Sequence, residues 1–165
     1  MLDINLMYYN IKYMSNENII SEELQKIIKL IEKKNYTEAE AALIKIVDEK
    51  NNEFYPHQLL GILYSKTGEF DKAKKHFENS LKINPKNPGL YFDLGTMYKL
   101  LNDDEKSLEC FFKVIELNPN IIDAYLSIAK IYEKQKKMVD ANKFFQKALA
   151  LNKDYLPSNK LIHIF

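Results

Sequence analysis

Residues 88–119 read PGLYFDLGTMYKLLNDDEKSLECFFKVIELNP, and their spacing is helical. Tyr91, Leu94, Gly95 and Tyr98 stand at i, i+3, i+4 and i+7, which is one face of an α-helix. Asn87-Pro88 offers a capping side chain followed by proline in the first turn. Asn118-Pro119 closes the stretch, because a residue before proline is driven away from helical angles. Gly95 and Ser107 are small enough to let two helices approach closely. The stretch predicts a helical hairpin.

The same punctuation recurs when the chain is shifted by 34 residues: Gly61 falls on Gly95, Tyr64 on Tyr98 and Tyr132, Phe77 on Phe111 and Phe145, and Asn84 on Asn118 and Asn152. Pro85 meets Pro119, and Tyr91 meets Tyr125. Small pairs recur at Gly61/Ala73 and Ala129/Ala141, while Ala141, Phe144, Phe145, Ala148 and Leu149 trace the apolar face of a second helix. Thr37 with Glu40 suggests a capping box, and Asp71 a further cap. Helices are expected near 20–34, 37–49, 54–67, 71–83, 88–101, 104–117, 122–135, 138–151 and 155–164.

A 34-residue period with these residues resembles the tetratricopeptide repeat family. Three full copies cover 54–87, 88–121 and 122–155. A weaker copy at 20–53 has Leu30 in the tyrosine column, Ala39 in the small column, Leu43 in the phenylalanine column and Ile27 in place of glycine. The resemblance implies an all-α fold, a right-handed α-solenoid of antiparallel helix hairpins. Residues 1–19 are expected to form a poorly ordered N-terminal extension. Residues 156–165 are expected to form a single capping or truncated helix, unusually apolar at Leu161-Ile162-His163-Ile164-Phe165.

Composition narrows the function. The 165 residues carry 24 basic and 23 acidic side chains, and every basic one is Lys, so there is neither a net field for a polyanion nor an Arg fork for phosphate or guanine. Nucleic acid is not an expected partner. No apolar run approaches the roughly 18 residues of a membrane helix, so no membrane partner is expected, and a cytoplasmic location is the default. The single cysteine, Cys110, excludes an intramolecular disulfide and reads as an inert, partly buried thiol. His57, His76 and His163 form no i, i+4 pair and have no accompanying carboxylate, so no metal, cofactor or catalytic role is expected. His57 stands in the column of Tyr91 and Tyr125 and reads as a packing aromatic.

What remains is surface. The resemblance implies that the first helices line a concave groove for a peptide or partner helix. The expected groove residues are Tyr55, Gln58, Ile62, Lys66, Phe92, Thr96, Lys99, Leu126, Lys130 and Glu133. Ile62, Phe92 and Leu126 would form an exposed apolar strip beside lysines, a pattern suited to an apolar segment with an acidic surround. In the competing reading, Phe92 and Leu126 tuck into the core between repeats. The family's clamp for a chaperone C-terminal carboxylate uses Lys and Asn. Here its positions hold Gln58, Ile62, Asp93, Asp123 and Ser127, so that role is not expected. The leading expectation is a non-enzymatic protein-interaction module. The alternative is the substrate-presenting portion of a larger or split transferase (a sulfotransferase or glycosyltransferase) whose catalytic domain is elsewhere. Self-association through the C-terminal helix is a third.

Overall fold

The computed structural model describes residues 21–50 and 52–151, so the expected N-terminal extension and the helix at 155–164 lie outside the described residues. Among the described residues there are eight helices and no strand: α1 Glu22–Glu32, α2 Tyr36–Glu49, α3 Phe54–Thr67, α4 Phe70–Ile83, α5 Pro88–Leu100, α6 Asp104–Leu117, α7 Ile122–Lys134 and α8 Met138–Leu151. Every end falls within two residues of its expected position. Packing is strongest within the pairs α3/α4, α5/α6 and α7/α8, and each pair meets the next through α2 on α3, α4 on α5 and α6 on α7. Contacts of this nearest-neighbour kind make a solenoid, in which each hairpin buries its apolar faces against its neighbours.

The turns inside the hairpins repeat with the same period. Lys34, Gly68, Asn102 and Lys136 stand 34 residues apart and all have positive φ, at 62°, 83°, 59° and 61°. After each, a backbone N–H reaches back five residues: Asn35 to the Leu30 carbonyl, Glu69 to Tyr64, Asp103 to Tyr98 and Lys137 to Tyr132, at 2.8–2.9 Å. That bond is the closing contact of a Schellman motif. Its acceptors are the residues of the tyrosine column, so this column both packs the hairpin and ends its first helix.

These turns also correct two expected caps. α2 begins at Tyr36 with Asn35 as its cap residue, so Thr37 and Glu40 lie inside the helix and form no capping box. α4 begins at Phe70 after Glu69, placing Asp71 in the first turn. The left-handed residue directs the chain straight into the next helix: Ala39 N–H already donates to Asn35 O at 3.2 Å, and Ala73 N–H to Glu69 O at 3.0 Å. Asn87 caps α5 as expected, its side chain accepting from Gly89 N–H at 2.9 Å with Pro88 in the first turn. Asp103 caps α6, accepting from Lys106 N–H at 3.1 Å.

The small-residue columns are the crossing points. A Cβ placed on Gly61 would sit 2.6–2.9 Å from three atoms of the Phe77 ring, and one on Gly95 would meet Cys110 and Phe111 at 3.1–3.2 Å. Ala73, Ser107, Ala129 and Ala141 opposite are fully or almost fully buried, and Ser107 Oγ donates to Gly95 O at 2.8 Å. Gly61→Ala is therefore expected to destabilise the protein by about 1–3 kcal/mol through overpacking. Helix propensity alone would give a gain of about 1 kcal/mol. A thermal melt decides: a fall in the midpoint follows from the packing, whereas a rise would mean that Phe77 moves aside without cost.

Candidate interaction surface

The first helices α3, α5 and α7 carry every residue of the expected groove. The structure does not leave their apolar members open. Ile62, Phe92 and Leu126 are 0%, 2% and 6% exposed, so the expected exposed strip is absent. Phe92 packs edge-on against Phe111, with ring centroids 5.3 Å apart, and shares a core cluster with Leu126, Val114, Ala124 and Ile128. Ile62 belongs to a second cluster with Leu59, Leu63, Phe77 and Met97. The physical reason is the width of the buried stripe: a neighbouring hairpin covers more than one row of a first helix. Tyr55 and Gln58 are also buried. Lys66, Thr96, Lys99 and Glu133 are half-buried, and Lys130 is exposed.

Two polar contacts on these helices join residues that the sequence keeps apart. Gln58 Nε2 donates to Asp93 Oδ2 at 2.6 Å, tying α3 to α5. Asp93 is fully buried, and neither its Oδ1 nor Gln58 Oε1 has a hydrogen-bond partner. Desolvation pushes the Asp93 carboxyl up to about 8, against the pull of the Gln58 bond. Asp93 is therefore mostly a neutral acid at neutral pH. Elsewhere, Lys134 Nζ on α7 pairs with Asp104 Oδ1 at 2.9 Å and lies 3.4 Å from Asn102 Oδ1. Burial lowers the ammonium pKa of Lys99, and the neighbouring charges of Lys130 and Lys134 lower it further, while Asp104 opposes them.

The structure also brings together His57 and His76, which composition and spacing had left as separate residues. Their Nδ1 atoms stand 3.1 Å apart between α3 and α4, and the His76 ring packs against Tyr64 with centroids 5.5 Å apart. One hydrogen between the two nitrogens satisfies both rings, but a second proton cannot be accommodated there. Burial lowers both pKa values, and His57 with Lys75 and Lys72 helps bring His76 down to about 4. A histidine whose folded pKa lies below its unfolded value near 6.5 contributes stability above that value. This contribution is lost as pH falls from about 6.5 through 4. The melting midpoint should therefore fall between pH 7 and pH 5, and fall less in His57→Tyr, which restores the aromatic of the other repeats. An equal fall in both proteins would rule out the pair as the source.

Cys110 is 9% exposed, and burial raises its thiol to about 12, which leaves no thiolate for nucleophilic chemistry near neutral pH. Among the described residues no group of three His, Cys, Asp or Glu side chains is placed to hold a metal ion, and no helix is long and apolar enough to cross a membrane.

Models of the tetratricopeptide repeat match residues 56–87, 76–109 and 122–155, together more than half of the chain. A stretch of 50 residues is 40% identical to anaphase-promoting complex subunit 3 of Schizosaccharomyces pombe, covering 30% of this chain and 8% of that protein. A stretch of 99 residues is 29% identical to anaphase-promoting complex subunit CDC16 of Saccharomyces cerevisiae, covering 56% of this chain and 12% of that protein. The chain thus spans about a tenth of the length of these curated relatives. The crystal structure of MamA superposes with a TM-score of 0.75 at 23% identity, over 91% of this chain and 86% of that one, a likeness of fold.

Proposed function

The chain belongs to the tetratricopeptide repeat family, and from that premise we propose that it is a non-enzymatic scaffold that binds another protein on the accessible face of α3, α5 and α7. The observation that carries this reading is the fate of the apolar residues. Ile62, Phe92 and Leu126 are used up in holding successive hairpins together, so the first helices form a rigid wall that presents polar side chains at a fixed spacing. Thr96, Lys99 and Lys130 are the recognition residues on this wall, with Lys66 and Glu133 at its ends. Tyr55, Gln58, Ile62, Phe92 and Leu126 fix its shape. Rigid presentation lowers the ordering cost of binding, which is where affinity comes from when the buried area is modest.

Affinity capture on the full chain, followed by titration with the purified partner, tests this. Thr96→Trp plugs the wall midway along α5 without removing a charge. The plug is expected to weaken the partner by at least about tenfold while the melting midpoint holds. Unchanged affinity would place the interface elsewhere and refute the assignment. The transferase alternative and the self-association reading were both built on residues 154–165, which lie outside the described residues.

A further inference from the structure

Resting on that reading, we infer that the partner segment is acidic and that its carboxylates seat against Lys99, Lys130 and Lys134 at the junction of α5 and α7. Three ammonium groups meet here from two successive first helices, and the neighbouring carboxylate, Asp104, is held by Lys134 at 2.9 Å. Lys99 and Lys130 are left facing each other's charge. Glu133, on the same helix, is engaged in an interaction of its own. The depressed pKa of Lys99 reports the same crowding: burial first, then the repulsion of Lys130, with Lys134 adding to it. Like charges gathered in a half-buried place are an unmet demand for an anion.

The helix macrodipole does not meet that demand. Lys99 and Lys134 lie in the last turns of α5 and α7, where a cation is favoured by a partial charge of roughly one half. Lys130 stands a turn further in, where that effect has faded. The chemistry of the three residues also favours carboxylates over a phosphate. Doubly charged phosphates are best held by Arg forks and helix N-termini, whereas this chain has no Arg and the site lies at helix C-terminal ends. Separated ammonium point charges match single negative charges spread along an extended segment of another protein.

Selection from random twelve-residue peptides displayed against the full chain tests the inference, with fluorescence anisotropy on the selected peptides at low and high salt. Asp and Glu are expected to be enriched by at least about threefold over the unselected pool on the wild type. Affinity should fall by at least about tenfold in Lys99→Glu/Lys130→Glu, and should weaken steeply with salt. The neutral pair Lys99→Gln/Lys130→Gln, which adds no charge to the fold, should lose part of the affinity with an unchanged melt. Peptides selected without acidic enrichment and bound equally by both variants would overturn the acidic partner while leaving the binding wall in place. Selection of no peptide above the pool would overturn both.

Discussion

Phe92→Asp combined with Leu126→Asp is expected to abolish cooperative folding, not merely partner capture. Both side chains are buried, in one cluster with Phe111, Val114, Ala124, Tyr125 and Ile128. Truncating a buried Phe costs about 3–5 kcal/mol and a buried Leu about 2–5 kcal/mol. Placing a carboxylate in either site adds a desolvation cost, or forces the group to stay protonated. Domains of this size hold about 5–15 kcal/mol in total, so the double variant has little or nothing left. Its far-UV signal should melt without a sharp transition, and its elution volume should shift to that of an expanded chain. A cooperative melt close to the wild type would mean that Phe92 and Leu126 are free surface, and the packing described here would be wrong at its centre.

The second large effect is a stability gain. Asp93→Asn should raise the melting midpoint, and most strongly on the alkaline side. The unfolded carboxyl gives up its proton near 3.9, while the folded one keeps it to about 8. Between those values the native state binds more protons than the unfolded state, so stability declines as pH rises from about 4 to about 8 and is flat above. This is the reverse of the usual behaviour of a salt-bridged carboxylate. Over that window the loss is on the order of 4 kcal/mol. Asparagine removes it, and its amide can donate to Gln58 Oε1 while Oδ1 accepts from Nε2, giving a partner to an atom that now lacks one. At pH 8.5 the midpoint should rise by several degrees and the pH slope should flatten. A lower midpoint for Asp93→Asn at that pH would show that the carboxylate is ionised and well compensated in the native state.

Taken with the histidine pair, these residues give the solenoid two opposed sensitivities. Acid charges the neutral His57–His76 contact within one hairpin, and base charges the neutral Asp93 between that hairpin and the next. Stability should therefore be greatest in a window bounded by His76 on the acid side and Asp93 on the alkaline side.

The fold was legible because packing columns recur every 34 residues, so three imperfect copies vote on each position. Tyr64, Tyr98 and Tyr132 identify the first helices, and Phe77, Phe111 and Phe145 the second. What the sequence could not show was which of two adjacent rows on a first helix a neighbouring hairpin would cover. A helical wheel sets Ile62, Phe92 and Leu126 beside the packing stripe, but only the offset between hairpins decides that they are buried too. The polar contacts were hidden for a related reason. Asp93 shares its column with Leu59 and Ser127, so nothing in the repeat pattern calls for a carboxylate there, and its partner Gln58 stands 35 residues away on another helix. The turns did leave a signal: Gly68 occupies a left-handed position, and Lys34, Asn102 and Lys136 stand in its column. With only one glycine among four, the common conformation was masked by residues that adopt it at some cost.

Hydrogen exchange of the full chain, alone and saturated with its captured protein partner, tests the central claim most directly. Binding on the wall formed by the first helices predicts slowed exchange in peptides from 54–67, 88–100 and 122–134, strongest across 96–100 and 126–134. Protection confined to the second helices, 70–83, 104–117 and 138–151, would contradict the account by placing the partner on the opposite side of the solenoid.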